Sequence, residues 1–326
     1  VSGLRWDWNS AALGVVYALP AGVAAHFDVA RGAALAVGVI PAAIIGLAPT
    51  RRRRLRVIAL GLITGLPLML GSVVSSVPWL AVTSIFVLAV CAVILARIAP
   101  IGSIALVLSL PMVGVGLSYG DRGVGLELSV LLVAGSVYAA AVSMLWPARD
   151  VPAGERSGAT PSLDYGVRLG AAAAIAAAVG FMFDLEHVGW ATAAVLLVMR
   201  PGAEQTTVRM VGRLASVCIG GAVAVCLVAS GSNPIVYSAA IVACVAAAAA
   251  THTSRWYVTS AFTTFLVLLL LVSPSPRDAG FRLNERLVET VLGVGLAWLF
   301  AVVLPAVLGS GPESEEHERQ QNRIRP

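Results

Sequence analysis

An all-α polytopic membrane protein, with about twelve spans set out as two parallel six-helix repeats, is the fold this sequence predicts. Three observations predict it. The 326 residues are 58% hydrophobic and 12% charged, with a mean hydropathy of +0.89, whereas a soluble domain carries about 25% charged residues. Apolar runs of about 18 residues or more recur from end to end, each long enough to cross about 30 Å of hydrocarbon as a helix. They are uniformly apolar, without the in-out alternation of barrel strands, so helices are the spanning element. Finally, one pattern occurs twice. The stretch from Trp190 to Gly221 joins a short apolar segment ending at Arg200-Pro201, a polar turn, and a long apolar run opened by Arg209 and Arg213. Earlier, an apolar segment carrying Pro41 ends at Pro49, and Arg52 and Arg56 open the next run.

In chain order, the first six spans fall at roughly 10–26, 31–48, 57–75, 79–96, 101–118 and 126–146, within a first repeat over residues 1–147. A linker over 148–165, rich in Pro, Gly, Ser and charge, divides the chain. The second six fall at roughly 166–183, 187–200, 210–230, 234–251, 256–273 and 287–308, within a second repeat over 166–309. The tail, 310–326, is charged and has no apolar periodicity, the signature of disorder. Across the halves Phe27-Asp28 pairs with Phe183-Asp184, Gly32 with Gly189, Arg52 with Arg209 and Arg56 with Arg213. Ser103 pairs with Ser260, Glu127 with Glu285, Gly135 with Gly293 and Pro147 with Pro305. Each half has an even number of spans, so both enter the membrane in the same sense and the repeat is parallel.

The net charge of +5 is entirely arginine. With the N-terminus in the cytoplasm, seventeen arginines fall on inner segments and five outside. That bias places both termini in the cytoplasm. No short apolar segment with a small-residue cleavage site precedes the first span, so no removable signal peptide is expected. Cys91, Cys218, Cys226 and Cys244 all lie in apolar runs and read as small core residues.

Arginine matches a carboxylate with two parallel hydrogen bonds. Arg200, Arg209 and Arg213, with Thr206 in the turn between them and Arg52 and Arg56 in the other half, are therefore candidates to receive an organic anion. For Arg51–Arg54 the alternative is contact with anionic lipid headgroups. The short segment 187–200 and Pro41 meet the description of interrupted spans at matching places, a pointer to a transporter site. Glu289, Glu285 and Asp184 are candidates for proton coupling, with Glu289 about a turn inside its helix. The histidines are scattered and form no metal set. No phosphate-binding loop, serine-hydrolase elbow or zinc-protease motif occurs, so neither catalysis nor a cofactor is expected. The basic residues flank the membrane, which argues against nucleic acid as a partner.

The short span ending in Arg200-Pro201, the Thr206/Thr207 turn, Arg209, Arg213 and the small-residue helix after them resemble the fusaric-acid-resistance-like (FUSC-like) integral membrane transporters. The segment Arg286 to Pro305, with Glu289 and Gly293, is similar to that family's closing helix. The resemblance implies a plasma-membrane exporter of aromatic carboxylic acids, with a relationship to plant malate channels. Where family members often read Arg-x-x-Gly-Thr-x-x-Gly, Arg213 and Gly220 fit, and Ser216-Val217 replaces Gly-Thr. Three readings stay open: a gradient-driven exporter of organic anions, a passive anion channel, and a non-transporting membrane scaffold. Homo-oligomerisation stays open too, since two halves in one chain can already form a pseudo-dimer.

Overall fold

The computed structural model describes residues 5–48, 50–99, 102–103, 105–147, 161–254, 256–273 and 276–307. The described residues form twelve principal helices and no strand. In the first half these are α1 Trp8–Phe27, α2 Val29–Ile45, α3 Arg56–Val74, α4 Pro78–Ile98, α5 Ala105–Leu117 and α6 Arg122–Leu145. In the second half they are α7 Leu163–Met182, α8 Gly189–Val198, α9 Ala203–Ala229, α10 Pro234–Ala250, α11 Trp256–Val272 and α12 Ala279–Val307. Seven of these (α1, α3, α4, α6, α7, α9 and α12) are long and apolar enough to cross a membrane. The other five are shorter apolar helices. The protein is a multi-pass helical membrane protein. The linker residues 148–160 and the tail lie outside the described residues.

Helix ends follow the local chemistry. Asp7, Asp28, Asp121, Ser162 and Asn233 each accept a hydrogen bond from a first-turn backbone N–H, capping α1, α2, α6, α7 and α10. Such caps satisfy donors that a helix leaves unpaired. Two helices start earlier than hydropathy suggests. α9 begins at Ala203 and α12 at Ala279, so Arg209, Arg282, Glu285 and Arg286 are all helical. Hydropathy underestimates both because their first turns carry the charged residues.

Many large apolar side chains on these helices point outward, among them Leu66, Ile219, Val223 and Val291. Facing lipid, they need no further burial. Cys91, Cys218 and Cys226 are exposed in the same way, and only Cys244 is buried. The expectation that all four are core residues therefore holds for one: a small thiol costs little against lipid, so apolar flanks do not separate inside from outside.

The helices pack crosswise. α1 lies along α10 and α4 along α7; α2 packs on α6 and α8 on α12; α8 also meets α5, as α11 meets α2. Glycines set the closest approaches. A side chain at Gly135 of α6 would meet the Leu35 carbonyl of α2, and one at Gly293 of α12 would meet the Ala191 carbonyl of α8. Small residues at such crossings let backbones touch, which is how helices associate where lipid supplies no hydrophobic drive.

Candidate functional site

A cavity of about 480 Å³ lies inside the bundle. Its walls come from α2, α3, α5 and α6 of the first half and α8, α9, α11 and α12 of the second. α1, α4, α7 and α10 contribute no lining residue. Thus four of the five short helices, α2, α5, α8 and α11, face the cavity. Pro41 of α2 is among its lining residues.

The polar lining is one-sided. Arg200, Arg209, Arg213, His252 and Arg286 line the cavity, and among the described residues no Asp or Glu does so. Every one belongs to the second half. The first half supplies apolar side chains with Thr64 and Tyr119 as its hydroxyls.

Arg286 is the most informative of these. It is 3% exposed, and its guanidinium carbon lies 3.7 Å from the ring centroid of Trp190 on α8. The Trp face attracts the cation and fixes the guanidinium plane. Nε and Nη1 of Arg286 are buried without a hydrogen-bond partner. Arg213 donates from Nη1 to Ser260 Oγ at 3.0 Å and Thr264 Oγ1 at 3.3 Å, both on α11. Its Nε has no partner. A buried donor left unpaired costs about 1–3 kcal/mol. An anion entering the cavity would satisfy several at once.

The turn after α8 is tightly organised. Arg200 donates from Nη1 to the carbonyls of Met199 at 2.7 Å and Leu196 at 3.3 Å. It thereby caps the negative C-terminal end of α8. Thr206 Oγ1 accepts from the Arg200 N–H at 3.0 Å and donates to the Arg200 carbonyl at 3.1 Å. Thr206 is fully buried in that role and does not line the cavity. It shapes the turn from which Arg200 reaches the cavity. Arg209 donates to the Leu197 carbonyl at 3.5 Å.

The structure separates the other candidates from this group. Arg56 is exposed and does not line this cavity; the side chain of Arg52 lies outside the described residues. Its neighbour Arg54 is 1% exposed and donates to the carbonyls of Ala48, Ser143 and Trp146, tying the α2–α3 connection to the end of α6. Asp184 is exposed in a turn with φ 49°. Glu289 is 1% exposed and both carboxylate oxygens lack a hydrogen-bond partner. It lies one helical turn beyond Glu285, on the same face of α12.

Glu285 belongs to a surface cluster. His187 Nδ1 is 3.5 Å from Glu285 Oε2, and Arg282 Nη1 is 3.1 Å from Glu186 Oε1. Burial holds the His187 imidazole below its ordinary 6.5, with Glu285 opposing that shift. The fold thus brings Glu285 up to the adjacent Glu186 and His187, three potential ligand groups. With Arg282 already paired to Glu186, the cluster is an ion-paired network.

Sequence reasoning missed Arg286 and Trp190 as partners. The sequence singles out Glu289 on this helix for its charge and not Arg286, and no hydrogen bond joins the two. A usable signal was present: an arginine in a strongly apolar span, three residues before a glutamate.

An all-helical bundle of long apolar helices enclosing an arginine-lined cavity defines a class, the polytopic membrane proteins. Residues 174–300 match the family model described as fusaric acid resistance protein-like. The likeness is to that segment, which is less than half of the chain. The match begins within α7 and ends within α12, so it includes Trp190, Arg200, Arg209, Arg213 and Arg286. Comparison with curated proteins finds no match, and comparison with solved structures finds none.

Proposed function

We propose that this protein exports an organic anion across the plasma membrane, using an ion gradient, with both termini in the cytoplasm. The observation that carries this reading is the set of buried, unpartnered guanidinium donors of Arg213 and Arg286 around a cavity that no carboxylate lines among the described residues. The anion's carboxylate sits between Arg286 and Arg213, while the apolar wall from α2 and α5 receives its hydrocarbon body. Arg200 and Arg209 draw it in from the end of the cavity nearest the α8–α9 turn, because like-signed charges lining a low-dielectric cleft focus an attracting field.

Glu289 is the coupling group in this proposal, with Glu285 at the solvent end. A membrane-buried carboxylate is costly to keep and is by default a functional candidate. Asp184, exposed on its turn, is not required.

Flux measurements on the purified protein in proteoliposomes test this, with benzoate as the probe. Benzoate movement that accelerates when a proton gradient is imposed, and is lost in Arg286→Gln, is the expected result. Equal flux with and without the gradient would make the protein a passive anion channel. No flux of benzoate or any carboxylate tried would remove the transport reading.

A further inference from the structure

A second cavity, of about 370 Å³, opens beside the first and is lined by Asp28, Arg31, Val124, Glu127 and Arg282, among others. The two cavities share three lining residues, Tyr119, Leu128 and Leu270. These come from three different places: the α5–α6 connection, α6 and α11. They form the septum between an open vestibule and the internal site.

α12 crosses this septum. Arg286 lines the internal cavity and Arg282 lines the vestibule. Four residues apart, they lie on one helix face with a rise of about 6 Å between them. Each has a buried donor without a partner: Nε and Nη1 of Arg286, and Nε of Arg282. Arg282 is already held by Glu186 at 3.1 Å, so it marks the vestibule side of the barrier and Arg286 the internal side.

Tyr119 is suited to be the moving part. Its carbonyl accepts a 2.7 Å hydrogen bond from Ser72 Oγ on α3, which holds its backbone. No hydrogen bond to its phenol forms among the described residues. Burial pushes that phenol up to about 12, with Arg286 opposing, so the ring stays uncharged. Swinging it aside breaks no hydrogen bond and moves no charge.

We infer that Tyr119, with Leu128 and Leu270, is the gate between the vestibule and the Arg286 site. This rests on the transport reading, yet the gate itself can be tested without any flux.

The experiment uses the full-length protein in oriented vesicles, with the four native cysteines replaced by serine and Thr263→Cys placed in the internal cavity. A membrane-impermeant thiol reagent is added from the vestibule side, and Val124→Cys in the vestibule gives the reference rate. We expect Val124→Cys to react readily and Thr263→Cys slowly. Adding Tyr119→Ala should speed Thr263→Cys at least about tenfold, the effect of lowering a barrier by about 1.4 kcal/mol. Leu270→Ala, a milder change in the same septum, should act in the same direction and serves if Tyr119→Ala does not fold. Fast labelling of Thr263→Cys behind an intact septum, or slow labelling unmoved by either substitution, would overturn the gate. Absence of carboxylate transport with this labelling pattern intact would instead overturn the transport reading alone.

Discussion

Arg56 opens α3 in the first half and is exposed; Arg213, its counterpart in the repeat register, is 6% exposed on α9 and hydrogen-bonded to Ser260 and Thr264. The contrast extends along the last helix of each half. In the register that pairs Glu127 with Glu285, Arg286 stands where α6 has Leu128, and Arg282 where α6 has Val124. Leu128 and Val124 line the same cavities as the arginines they replace. Gly135 of α6 approaches α2 and Gly293 of α12 approaches α8 at similarly close range, while the chemistry of the two faces differs. One wall carries the charge and the other offers an apolar face. Like packing contacts do not imply like sites.

The largest test of that division is Arg286. Arg286→Gln should reduce benzoate flux at least about thirtyfold, since truncating one side of a buried charge contact costs about 2 kcal/mol or more. Arg213→Ala should cost about tenfold, because Arg286 remains to hold the carboxylate. Arg56→Ala should leave flux within about twofold, as exposed arginines contribute little. Parity between the Arg213 and Arg56 variants would dissolve the contrast.

These like packing contacts predict the opposite pattern for glycine. Gly135→Val and Gly293→Val should each destabilise the detergent-solubilised protein by about 1–3 kcal/mol, read as a fall in midpoint temperature. A large difference between the two would show that the halves also differ in how they pack.

How much of this was legible follows from what hydropathy can see. The helix count, the short α8 and the importance of its terminal turn are encoded in apolar run lengths and in the Arg200-Pro201 break. Which arginines face inward is not. Arg52, Arg54 and Arg56 sit in one basic run, and helix phase alone buries Arg54 against the end of α6. Arg286 and Trp190 are far apart in sequence, and only the packing of α8 on α12 stacks them. The repeat alignment supported equal roles for equivalent residues, whereas side-chain environment separated them.

The smallest expected effect concerns pH. His187 is held below 6.5 when folded, so the unfolded chain takes up its proton first as pH falls. Its contribution to stability is complete above about pH 6.5 and declines below it, by under about 1.4 kcal/mol per pH unit. His187→Gln should therefore flatten the fall in midpoint temperature between pH 7.5 and pH 5.5.

Calorimetric titration of benzoate into the purified protein tests the central claim most directly. The wild-type chain should bind it, Arg56→Gln should bind it equally, and Arg286→Gln should bind at least about tenfold more weakly. Unchanged affinity in Arg286→Gln, with the variant folded, would contradict an anion site built on the second half's wall.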